Sequence, residues 1–164
     1  MMLFATTASA QSVRLSAGAM LPISGEIDPA WSVQPGASGQ ILLPMYGGET
    51  RLSLDIAAHD ATRETVPDFT ALNAALGWGP VFGLGPVRVV PSAEVGANRL
   101  FFDDDGVFGE NLSAETELTA GTVLRASVPL AGPAEVWTEA GVRRTFFSTT
   151  VTTATVSAGL AVRL

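Results

Sequence analysis

The final stretch of the chain, Thr149 to Leu164, reads TTVTTATVSAGLAVRL. In an extended strand successive side chains point to opposite faces. Thr150, Thr152, Ala154, Val156, Ala158, Leu160, Val162 and Leu164 then share one face. Thr149, Val151, Thr153, Thr155, Ser157, Gly159, Ala161 and Arg163 share the other. Such alternation has the period of a half-buried strand, not of a helix.

The same period recurs along the chain. Gly (17) and Pro (10) separate segments rich in Val, Leu, Thr and Ala, and helical periodicity is nearly absent. The pattern predicts eight strands, over about 12–21, 36–46, 50–59, 68–78, 87–102, 112–128, 134–147 and 149–164. Gly47-Gly48, the GPVFGLGP segment and Leu130-Ala131-Gly132-Pro133 read as turns. The connections after the first, third and fifth strands are polar or acidic, the first holding Glu26, Asp28 and Trp31 and the fifth Asp103-Asp104-Asp105-Gly106. Pro44 and Pro91 fall inside strands, so bulges or shifted boundaries are expected there. AEVGANRLFF (Ala93 to Phe102) matches TEAGVRRTFF (Thr138 to Phe147), which suggests two equivalent strands running the same way.

Composition narrows the class. Hydrophobic residues make up 47% of the 164 residues, yet no apolar run approaches the roughly 18 residues of a transmembrane helix. A chain of this kind is a well-buried globule or a β-barrel. All nine basic residues are Arg and the net charge is -7, which argues against nucleic acid as a partner. Without Cys there are no disulfides and no thiol chemistry. Ala8-Ser9-Ala10 before Gln11 has the form of a signal-peptide cleavage site. Residues 1–10 are therefore expected to be the remnant of a signal peptide and 11–164 the mature, exported domain.

The polar faces of the eight strands collect six cations, Arg14, Arg51, Arg88, Arg125, Arg143 and Arg163. They also collect six acids, Asp55, Glu94, Glu115, Glu117, Glu135 and Glu139. An eight-stranded barrel has an interior just wide enough for side chains, and charges enclosed there must be paired. A balanced set predicts a cross-strand ion-pair network that fills the lumen. Trp137 shares this face and is expected to plug it. Gly18, Gly77, Gly96, Gly121, Gly141 and Gly159 leave room for the long side chains. A soluble barrel with its apolar face inward, as in lipocalin-like ligand carriers, fits the same alternation. Three features favour the membrane orientation. The apolar face is almost free of polar side chains over about 9 to 11 residues per strand. Trp78 ends it at the turn side, and Arg99 with Phe101 and Arg144 with Phe146 end it at the loop side, as interfacial girdles do. The glycines fall on the polar face.

The closing residues Ser157-Ala158-Gly159-Leu160-Ala161-Val162-Arg163-Leu164 resemble the C-terminal assembly signal of bacterial outer-membrane proteins: polar, x, Gly, x, x, apolar, x, apolar. Val162 and Leu164 stand where that signal usually has aromatics. The whole mature chain is similar in pattern to the small OmpA/OmpX-type barrels. The resemblance implies a closed antiparallel up-and-down eight-stranded transmembrane β-barrel in the bacterial outer membrane. It also implies insertion by the barrel assembly machinery, with Gly159, Val162 and Leu164 as the signal, and outer-membrane lipid around a monomer. It implies no particular activity.

Other candidates carry less. The lone His59 lies at a strand end, and the sequence His59-Asp60-Ala61-Thr62 lacks the His-x-Ser spacing of lipid A deacylases, so a rim histidine is expected rather than a catalytic one. Asp103 to Asn111 is acidic but lacks EF-hand spacing, so a loop turn is expected rather than a Ca²⁺ site. The reading is a barrel without catalytic residues, metal or cofactor, in a structural or loop-mediated role. A lipid-A-modifying enzyme, a narrow channel and a soluble small-ligand binder are the alternatives.

Overall fold

A computed structural model describes residues 13–25, 31–62, 67–103, 114–146 and 150–164. The expected signal-peptide remnant lies outside them. So does most of the 103–111 loop.

The described residues form ten strands: β1 (Arg14–Gly25), β2 (Trp31–Val33), β3 (Gly36–Met45), β4 (Gly48–Ala61), β5 (Phe69–Pro80), β6 (Phe82–Leu84), β7 (Val87–Phe102), β8 (Glu115–Pro129), β9 (Ala134–Phe146) and β10 (Thr150–Arg163). The long ones are the eight expected strands. β2 and β6 are short extensions that pair with β4 and β7.

All pairings are antiparallel, and β10 pairs with both β9 and β1. With β4 on β5, the ring β1-β3-β4-β5-β7-β8-β9-β10 closes on itself. Following paired residues round this ring from Arg14 leads through Leu42, Arg51, Gly77, Glu94, Gly121, Arg143 and Thr153 back to Gly25, near the far end of β1. That stagger is what tilts the strands of a closed barrel. Closure also gives each of the eight long strands a partner on both sides, so none of them is a sheet edge.

Four prolines test the ladder differently. The register of β1 slips against β10 between Pro22 and Ser24. Gln34, Pro35 and Gly36 face only Ala57 and Ala58, which separates β2 from β3. Each is a bulge at a residue without an N–H. At Pro44 and Pro91 the expected bulges do not form. Pro44 lies next to the turn, in register with Glu49. Pro91 holds its register with Leu124, and on its other side the register of Trp78–Ala93 continues unshifted into Phe82–Val89. The ladder merely breaks where Pro80 comes opposite Pro91. This break turns the expected GPVFGLGP turn into β6 plus a tight turn at Gly85. The β3–β4 turn is centred on Tyr46 and Gly47, with φ of 54° and 73°, the pair of positive angles of a type I′ hairpin.

The apolar face points outward. Leu54, Val95, Leu118 and Leu160 are 51–60% exposed, while Glu49, Arg125 and Trp137 inside are at most 2% exposed. This is the reverse of a ligand-carrying soluble barrel.

Candidate functional site

The interior is built from alternate residues of the eight long strands. Five guanidinium groups and five carboxylates, carried by β1, β4, β7, β8 and β9, form a single chain of contacts. Arg88 reaches Glu49 Oε2 at 2.7 Å, and Arg14 donates to the same oxygen. Arg14 stands 3.6 Å from Glu135, and Glu135 stands 3.9 Å from Arg125. Arg125 lies 4.0 Å from Glu139, which Arg51 reaches at 2.7 Å. Arg51 also donates to Glu94, which Arg143 reaches at 2.8 Å. Arg143 ends the chain on Asp55 at 3.1 Å. Signs alternate at every step, so each charge inside the chain is flanked by its opposite. In a region of low dielectric such alternation offsets the desolvation cost of the ions.

Neutral groups fasten the chain to the wall. Gln40 donates from Nε2 to Glu139 at 3.0 Å and accepts from Arg125. Ser38 Oγ donates to Asp55 at 2.7 Å. Trp137 lies under the Arg125 guanidinium, 4.5 Å from the ring centre. Trp137 is opposite Gly159 and Gly159 is opposite Gly18. A Cβ at Gly18 would stand 2.7 Å from Trp137 Cζ2. The missing side chain at Gly18 thus makes space for the indole, while a Cβ at Gly159 would meet the Ala17 and Gly18 backbone.

Nine of the twelve charges assigned to the lumen from sequence join this chain: Arg14, Arg51, Asp55, Arg88, Glu94, Arg125, Glu135, Glu139 and Arg143. Three do not. Arg163 lies beside Arg14 in register but is exposed at the turn end. Glu115 is exposed and Glu117 half-buried towards the loop end, and neither forms an ion pair among the described residues. Alternation gives a residue's face but not its height, and near the strand ends the inward face meets water. Glu49 escapes the sequence reading because Gly47-Gly48 reads as the turn and the next strand is taken to start at Thr50. The earlier turn, at Tyr46-Gly47, puts Glu49 inside β4.

The loop-end mouth is built differently. His59 stacks on Phe69 with ring centres 4.4 Å apart, Trp31 meets Phe69 edge-on at 5.5 Å and Phe102 lies 5.8 Å from it. Trp31 Nε1 donates to Pro67 O at 2.9 Å. His59 is therefore buried in an aromatic cluster rather than placed on a wet rim, because it shares the inward parity of Asp55 and Ala57. Trp31, expected in a polar loop, opens β2. Below the cluster lie Asn73 and Thr119, joined at 3.4 Å. No group of three or more metal-ligating side chains occurs among the described residues.

On the outer wall, Trp78, Phe101 and Phe146 are 39–44% exposed, and Arg99 and Arg144 are exposed too. Trp78 Nε1 donates to Met45 O at 3.1 Å, towards the turn end. Phe82 and Tyr46 add to that end: the sequence reading places Phe82 in the GPVFGLGP turn and Tyr46 at the end of the second strand, and neither as a girdle residue. Gly159 faces inward, and Val162 and Leu164 face out; Leu164 N donates to Val13 O at 2.9 Å.

The fold recurs in solved structures. Neisserial surface protein A superposes with a TM-score of 0.63 at 17% identity, over 95% of this chain and 98% of that one. The fold is that of the small outer-membrane β-barrels. A major outer-membrane protein of Thermus thermophilus matches with a TM-score of 0.63 at 16% identity, over 95% of this chain and 100% of that one. Ail, the attachment invasion locus protein of Yersinia pestis, matches at 0.58 and 12%, over 94% and 97%. Neither a protein-family model nor a curated protein matches the sequence.

Proposed function

We propose that the chain is a monomeric, non-enzymatic integral protein of the bacterial outer membrane whose barrel is a plugged anchor, with any recognition carried by its loops. The supporting observation is the alternating chain from Arg88 to Asp55, which crosses the interior with its charges neutralised in pairs. An open pore leaves its wall charges to water; here they are spent on one another. The outward apolar wall supports the membrane placement, with the longer connections on the cell-surface side as in barrels of this type. The loop role is proposed by analogy, since one of the similar structures is by its name an attachment protein. Outer-membrane lipid and the barrel assembly machinery are the partners this reading calls for.

Reconstitution in planar bilayers tests the plug. The expected record has no steady conductance steps; large, steady currents would overturn it. A protein that stays monodisperse in buffer without detergent would overturn the membrane placement itself.

A further inference from the structure

The five lumen guanidinium groups are all committed to carboxylates. On the outer wall the situation is inverted. Among the described strand residues, the outward-facing charges are Arg99, Arg144 and Asp60. Asp60 is on β4, where it accepts from Gln34 at 2.8 Å. Arg99 and Arg144 make no ion pair among the described residues, although the chain as a whole is strongly acidic. The nearest outward acid along β7 is Asp103, beyond the strand end.

The two arginines occupy one flank. β8 runs between β7 and β9, with Thr116 opposite Arg99 and Ala120 opposite Arg144. Leu118, 58% exposed, lies between those two positions on the same outward face. Each arginine is followed two residues later by an outward phenylalanine, and the Arg99 guanidinium lies 5.0 Å from the Phe101 ring centre. This is what the matching strands AEVGANRLFF and TEAGVRRTFF repeat on their outer face. Leu118 and Val142 continue the flank as apolar wall towards the turn end.

We propose that this flank is a binding site for the phosphates of an outer-leaflet glycolipid, resting on the membrane placement proposed above. A guanidinium presents a planar fork that matches a phosphate in bidentate fashion. Arg99 and Arg144 hold two such forks at the loop-end border of the apolar wall. Acyl chains of the same molecule cover Leu118 and Val142. The ligand class is thus an amphiphile bearing two phosphates, of which lipid A is the outer-leaflet example.

The test uses the full chain in detergent micelles doped with bisphosphorylated lipid A, its dephosphorylated form or phosphatidylglycerol, with retained lipid counted by native mass spectrometry. The wild type is expected to retain bisphosphorylated lipid A about tenfold or more over the dephosphorylated form. Retention of phosphatidylglycerol should be weaker, since it offers one phosphate. The double variant R99Q/R144Q should lose the preference while keeping the wild-type unfolding midpoint in undoped detergent. Equal retention of the two lipid A forms by the wild type would overturn the proposal, whatever the variant does. So would an undiminished preference in a folded double variant, or a preference for phosphatidylglycerol. Each of those outcomes leaves membrane insertion intact; a chain soluble without detergent fails the earlier reading instead.

Discussion

The two halves of the barrel interior solve one problem with different chemistry. Towards the turns, space is filled by ions that alternate in sign and are tied to Gln40 and Ser38. Towards the loops it is filled by His59, Phe69, Trp31 and Phe102 in ring-on-ring contact. Ionic filling is directional and loses badly when one member is removed, because the partner is left charged and enclosed. Aromatic filling is less directional, and truncation leaves a hole that water can enter from the nearby mouth. The turn-side half should therefore be the less forgiving of the two.

Removing one carboxylate gives the sharpest contrast. Glu49→Gln strips both Arg14 and Arg88 of their shared partner, so a loss of about 3 kcal/mol in unfolding free energy is expected by urea titration in detergent. A loss below that of any mouth variant would break the comparison. Phe69→Ala deletes the ring at the centre of the aromatic cluster. Its expected cost is about 2 kcal/mol in the same titration, less than a closed core would show because the site lies near the mouth. The smallest effect should come from Arg163→Ala, which removes an exposed cation beside Arg14 that makes no ion pair among the described residues; about 0.5 kcal/mol or less is expected. A large loss there would restore Arg163 to the lumen network.

Much of this was legible because the strand period is two. One face of each strand faces lipid and the other a narrow interior, so Leu52, Leu54 and Ile56 separate cleanly from Arg51, Ser53 and Asp55. Ring closure was legible because the last stretch has the same pattern as the others. Height along the barrel was not legible. It depends on stagger, which only pairing reveals, so Arg163 and Glu115 were counted as interior charges. Nor were the short strands. Trp31–Val33 and Phe82–Leu84 take their partners from strands already recognised, and the prolines beside them look like turn signals. Why Pro35 gives a bulge while Pro91 only breaks the ladder follows from position: Pro91 faces Pro80, so both sides forgo the bond and neither strand has to shift.

The indole packed against Gly18 bears on how the ring is keyed. A slip of β10 by two residues against β1 keeps every side chain on its proper face, so the apolar pattern raises no objection to it. It would, however, bring Ser16 or Met20 into line with Gly159 in place of Gly18, under the six-membered ring of Trp137. A side chain there meets carbon. The seam where first strand meets last is thus held in register sterically, by a wedge from the neighbouring strand and the notch left at Gly18 to receive it.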